Sequence, residues 1–435
     1  MLIKNGTILT LNPQQPRLHG DLLVEADTIK AIGSVKTDAT TVIDATDKIV
    51  LPGFIQTHTH LCQTLFRNQA DDLKLLDWLQ QRIWPLEAAH DENSITLSAQ
   101  LGCAELIKCG TTTIMDMGTV RHTDCLFEVA RQAGLRAFMG KALMDAANGI
   151  PVSLIEPTQN ALNETLQLIQ TWHQHEKGRL RYAVAPRFLL CCSNELMAAV
   201  KSIAQEQALL IHTHAAETKQ EVAIIQQQTG FGNIEYLAEI GLTAPNLCLA
   251  HSIWINDREM NILQASGTRV LHCPSANLKL ASGIAPIPEM LARGIPVALG
   301  ADGAPCNNNL DIFMEMRLAA LLQKYRLADP GVLPARQVIE MATINGARTL
   351  GLENEIGSLE VGKKADLIIL NLNHVHSVPG TDLYARIVYS ARPENVETVM
   401  IDGQLVMQQK QLLTLDEARI VRESQPASKR LLTRI

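Results

Sequence analysis

Along the middle of this chain, residues able to hold a metal or move a proton stand at the ends of short apolar runs. In "GFIQTHTH", His58 and His60 lie two apart near the end of a predicted strand. Strand side chains alternate with a period of two, so both imidazoles project to one side and can meet the same metal ion. "LLIHTHAAE" adds His212 and His214, with Glu217 three residues beyond the second. A neutral imidazole from this pair completes a third ligand, and Glu217 can reach over the metal as a proton shuttle. Only one of the two is needed, and His212 reads as an interior support. "PVALGAD" ends in Asp302, whose carboxylate, buried behind an apolar strand, asks for a cation. "LCLAHS" ends in His251, readable as a hydrogen-bonded support or as a direct participant in catalysis, and His272 in "RVLHCP" reads as structural. An isolated H-x-H pair is a weak signal. The ordered series of His and Asp at successive strand ends is a much stronger one. Histidines with one carboxylate suit zinc or iron rather than calcium or magnesium, which prefer oxygen shells.

The elements that must position these residues follow from hydropathy. "TTTIMDM", "RAFMGKAL", "RYAVAP", "LLIHTH", "LCLAHS", "RVLHCP" and "PVALGAD" are apolar runs separated by amphipathic stretches of helical length. Alternating β and α units with continuously apolar strands indicate a parallel sheet buried on both faces. About eight units in roughly three hundred residues favour a closed (β/α)8 TIM barrel, whose active site sits where the strands end. The first fifty residues read as short strands at 2–11, 21–26, 29–32 and 41–44. The end of the chain repeats that texture, with a strand in "ADLIILNL" and a hairpin in "VETVMIDGQLVM" turning at Asp402-Gly403. The expected organisation is a composite β-sandwich domain from residues 1–52 and 362–435, and a catalytic barrel from 53–361.

Composition narrows the partners. A formal charge of -7 leaves no basic surplus for nucleic acid or an anionic membrane, so a small-molecule substrate is expected. Nine scattered cysteines with no C-x-x-C pair, and no signal-peptide pattern or bilayer-length apolar run, point to a cytoplasmic protein.

With these residues in place, the sequence resembles the amidohydrolase superfamily, in its branch of triazine hydrolases, guanine deaminases and adenosine-type deaminases. The likeness spans nearly the whole chain, through "LPGFIQTHTH", the H-x-x-E of His214 to Glu217, "AHSIW", "HCPSANLKLASGIAPIPEML", "ALGADGAPCNNN" and "MATINGARTLGLENEIGSLEVGKKADLIIL". The resemblance implies a barrel with a β domain built from both termini, and one divalent ion per subunit, Zn2+ or Fe2+, held by His58, His60, His214 and Asp302. It also implies that Glu217 protonates the ring nitrogen of an amino-heterocycle, that His251 orients or deprotonates the attacking water, and that Asp302 passes a proton to the departing amine. Members of this superfamily are commonly homodimers or larger, which is the expectation for this chain.

For the substrate, likeness to nucleoside deaminases implies that Trp78 packs on it and Glu87 accepts from ribose hydroxyls; a core Trp and a solvated Glu are the plainer readings. The stretch 146–178 contains no arginine to meet a charged tail, which favours a neutral 5′ group on an adenosine, as in 5′-deoxyadenosine or 5′-methylthioadenosine. Arg187 and Phe188 in "APRFLLCCSNELM" resemble the base-holding pair of guanine deaminases, where a guanidinium fork meets a ring carbonyl. Guanine is therefore the alternative substrate, with triazine hydrolysis a third and a non-catalytic ligand-binding barrel the reading from another class.

Overall fold

The computed structural model describes every residue of the 435 except 38, 147 and 148, so part of the arginine-free stretch 146–178 lies outside the described residues. Five strands open the chain: β1 (Leu2–Leu9), β2 (Arg17–Glu25), β3 (Thr28–Gly33), β4 (Val42–Asp44) and β5 (Ile49–Pro52). Eight follow through the middle: β6 (Phe54–Thr59), β7 (Thr111–Thr119), β8 (Arg136–Leu143), β9 (Leu180–Pro186), β10 (Leu210–Ala215), β11 (Leu247–His251), β12 (Arg269–His272) and β13 (Val297–Leu299). Four close it: β14 (Leu367–Leu370), β15 (Val396–Ile401), β16 (Gln404–Gln408) and β17 (Gln411–Leu412).

Strands β6 to β13 pair in parallel with their sequence neighbours, and every residue of β6, β7 and β8 is buried. Burial on both faces is what their unbroken apolar texture demands, with helices outside and barrel interior within. The ring is nearly closed by a parallel bridge between Thr59 and Asp302 and by the Asp302 N–H donating to the His58 carbonyl at 3.0 Å. Gly300 makes that approach possible, since a Cβ there would stand 2.7 Å from the His58 nitrogen. The closing contact thus sets Asp302 directly beside His58.

The terminal strands form one nine-stranded mixed sheet, ordered β17-β16-β15-β14-β5-β1-β2-β3, with β4 on β1. Its centre is the β5–β14 pair, which joins the two ends of the chain in antiparallel register from Ile49–Leu370 to Pro52–Leu367. Asp402 and Gly403, at φ 52 and 73, make the expected tight turn between β15 and β16. The chain enters the barrel through Gly53, where any Cβ would collide with Thr112 at 2.1 Å. A buried Arg136 at the start of β8 fastens barrel to sheet: its Nε and Nη2 meet Asp366 at 2.8 and 3.1 Å, and Nη2 also meets Asp402 at 2.8 Å.

Candidate active site

The carboxyl ends of β6, β10, β11 and β13 bring His58, His60, His214, Glu217, His251 and Asp302 together. The Nε2 atoms of His58 and His60 lie 3.4 and 3.3 Å from Asp302 Oδ1, and His60 Nε2 lies 3.3 Å from His214 Nε2. Two imidazole nitrogens facing each other, one of them also beside a carboxylate oxygen, have little to offer one another without a shared cation. His58 Nε2 is buried and has no hydrogen-bond partner among the described residues.

The far sides of these rings explain why the near sides are free. His214 Nδ1 donates to the Arg187 carbonyl at 2.7 Å, which leaves the Nε2 lone pair facing the cluster. His58 Nδ1 pairs with His212 Nε2 at 2.7 Å, so His212 stands behind His58, on the side away from the cluster. Burial drives His60, His212 and His214 well below the usual imidazole range, with His58 adding to the effect in each, so they stay neutral, the state in which an imidazole can bind a metal. Burial alone would raise Asp302, but His58, His251 and His60 hold it well below the usual carboxylate range. His58, His60 and Asp302 offer ligand atoms within 4.8 Å of one another, as do His58, His214 and His251, and a set of imidazoles with one carboxylate suits a divalent ion such as zinc.

Glu217 and His251 stand beside this cluster. Glu217 Oε2 is 3.6 Å from His251 Nε2, and Ser282 Oγ donates to Glu217 Oε1 at 3.2 Å. Burial pushes the Glu217 carboxyl up to about 7, against the opposing pull of His251, which poises it to give and take a proton near neutrality. His251 Nδ1 meets Asn277 Oδ1 at 2.8 Å, and Nε2 turns toward Asp302 Oδ2 at 3.8 Å. Burial would lower His251, yet Glu217 and Asp302 carry it above the usual value. The local backbone is unusual: His251, Ser252 and Asp302 have φ of 72, 46 and 65, as strand ends do when they turn side chains inward. His272 is fully buried with neither ring nitrogen paired, and it is not among the residues lining the cavity.

The cavity above these groups is walled by Leu75, Trp78, Leu79, Phe188 and Leu280, with Gln63, Arg187, Glu221 and Cys306 as its other polar or polarizable edges. Trp78 comes from the helical stretch Leu75–Ala88 after β6, and its indole N–H has no partner among the described residues. Glu87 stands one side chain back from the cavity and is buried, not solvated. Arg187 reaches it through Nη1 and Nη2 at 2.6 and 3.1 Å, and Gln63 Nε2 donates to it at 2.7 Å. Gln63, Ser282, Asn277 and Leu280 escaped the sequence reading; the last three lie in "SANLKLAS", whose likeness to known deaminases was visible but not resolved by residue. A wider groove between the helices Glu92–Lys108 and Glu417–Leu432 carries Arg419, Arg422, Arg430 and Arg434 and none of the cluster residues.

Comparison with known proteins agrees with this geometry. The chain is 38% identical to 5′-deoxyadenosine deaminase of Methanosarcina mazei over 437 residues, covering 100% of this chain and 99% of the relative. It is 40% identical to 5-methylthioadenosine/S-adenosylhomocysteine deaminase of Syntrophomonas wolfei subsp. wolfei, over 99% of both. The crystal structure of an adenosine deaminase from Xanthomonas campestris with bound zinc superposes with a TM-score of 0.94 at 30% identity, covering 99% of this chain and 98% of that one. Residues 49–406 match the Amidohydrolase family, and with full-length relatives at this identity the chain belongs to that family.

Proposed function

We propose that this protein is a zinc-dependent aminohydrolase that replaces the exocyclic amine of a 5′-modified adenosine, 5′-deoxyadenosine or 5′-methylthioadenosine, with an oxo group and releases ammonia. The observation that carries the reading is the chain of close contacts that links His58 and His60 to Asp302 and His60 to His214, beside a buried Glu217 poised near neutrality. His58, His60, His214 and Asp302 would hold a divalent ion, whose chemistry there would be to lower the pKa of a water toward about 7. His251, anchored by Asn277, orients the attacking water through Nε2. Glu217 takes the first proton of the water and gives it to the ring nitrogen as charge develops there; Asp302 takes the second, from the hydroxyl then on the ring carbon, and passes it to the departing amine.

In this reading Trp78 packs over the substrate and the apolar walls of Leu75, Leu79 and Leu280 receive the neutral 5′ end. Glu87 serves the ribose hydroxyls once Gln63 yields its place on Oε1. Both terminal nitrogens of Arg187 face Glu87, so the fork that would mark a guanine carbonyl is already engaged. The same reading takes 1–52 with 362–435 as one domain and 53–361 as the other, and the protein as a cytoplasmic homodimer or larger assembly. Among the described residues no helix is long and apolar enough to cross a membrane, and all nine cysteines are free. Ammonia release from a panel of 5′-deoxyadenosine, 5′-methylthioadenosine, adenosine, guanine and an aminotriazine tests the proposal. Turnover of the two 5′-modified nucleosides is expected to exceed the rest; turnover of guanine alone would overturn it.

A further inference from the structure

A second carboxylate, Glu221, lies four residues after Glu217 in the helix Lys219–Thr229 and is 1% exposed. It forms no ion pair among the described residues. Its acceptors are filled by neutral donors: Oε1 by the Ala216 N–H at 3.2 Å and Asn233 Nδ2 at 2.6 Å, Oε2 by the Glu217 N–H at 2.8 Å. Burying a carboxylate without a cation is costly, so the arrangement must hold something in place.

What it holds is a left-handed turn. Ala216 has φ 52, a conformation strained for a residue with a Cβ. In that conformation successive N–H groups converge and make a cradle for an anion, here the Glu221 carboxylate. The turn also interlocks with the next strand end. The Ala216 carbonyl accepts from the N–H groups of Ile253 and Trp254, both at 2.9 Å, and the Ala215 carbonyl accepts from Ser252 at 3.0 Å. His251 and Ser252 are themselves left-handed. Two strained turns are thus pinned together, and Glu217 is set against His251 across them.

We infer that Glu221 is a positioning residue for Glu217: by fixing the Ala216 turn, it aims the Glu217 carboxylate at the reacting ring. The inference rests on the reading of Glu217 as the proton-transfer group. Glu221→Gln is isosteric but presents an amide donor to one of the two backbone N–H groups that the carboxylate oxygens accept from. In the zinc-loaded enzyme this variant is expected to lower kcat about 10- to 100-fold, with KM within about threefold of the parent. Its zinc content and thermal unfolding midpoint should stay at the parent values, because removal of a buried charge offsets the lost hydrogen bond. If Glu221 acts through Glu217, adding Glu221→Gln to Glu217→Gln costs no further activity.

A parent-like kcat in Glu221→Gln while Glu217→Gln is inactive would overturn the positioning role alone. So would an equal fold-loss in the Glu217→Gln background, or loss of zinc from the single variant. An active Glu217→Gln would instead sink the parent reading, and this one with it. Should Glu221→Gln fail to fold, Asn233→Ala removes one donor from the same carboxylate and is expected to lower kcat about threefold; an unchanged kcat there overturns the inference.

Discussion

Two clusters of buried charged or titratable groups occupy opposite ends of the barrel strands. At the start of β8, Arg136 meets Asp366 and Asp402, and the Asp402 N–H also donates to Asp366 at 2.8 Å, so donors and acceptors match. At the carboxyl ends, His58, His60, His214 and Asp302 point lone pairs at a common centre, and one nitrogen is buried without a partner. Both sets are largely hidden from water, with Asp402 and His214 their least buried members. The difference teaches that burial of charge does not itself mark function; mismatch does. A matched set fastens two sheets, whereas a set with surplus acceptors is built to receive a cation.

The largest effects should come from the mismatched cluster. Stripping the metal with a chelator is expected to reduce deaminase activity more than about 1,000-fold and zinc to restore it. His214→Ala and Asp302→Asn should lose zinc by elemental analysis together with activity; a fully active metal-free enzyme would dissolve the contrast. Next, Glu217→Gln should keep its zinc and lose about 100- to 10,000-fold in kcat. In the matched cluster, Arg136→Met should leave kcat per folded molecule unchanged while lowering the unfolding free energy in urea by about 3–5 kcal/mol, since two carboxylates lose their cation.

The smallest change sharpens the comparison at a third buried carboxylate. Burial pushes Glu315 up to about 8, against hydrogen bonds from Ser275 and Asn307. The folded chain therefore keeps this proton over a range where the unfolded chain, near 4.5, has released it. Its contribution to stability is fully present below that unfolded value and is lost as pH rises through about 8, with a slope of at most about 1.4 kcal/mol per pH unit. Glu315→Gln should flatten this part of the stability profile in urea unfolding at stepped pH. An unchanged profile would mean the carboxyl ionises freely in the fold.

Sequence alone carried the strand order, the barrel and the identity of the groups around the cluster. Period-two alternation placed His58 with His60, and apolar runs ending in His251 and Asp302 marked the strand ends; such signals are local, written in a few consecutive residues. Likeness to known relatives separated His214 from His212, which spacing could not do. Tertiary structure decided what depends on contacts between distant segments. The His212–His58 pair, the Arg187–Glu87 clamp and the Asn277–His251 bond join residues 154, 100 and 26 apart. Side chains that far apart leave no periodic trace. Glu217 itself was legible, but its proton affinity was not. That affinity follows from burial and from the distance to His251, and the left-handed turn that sets the distance is a property of the folded backbone.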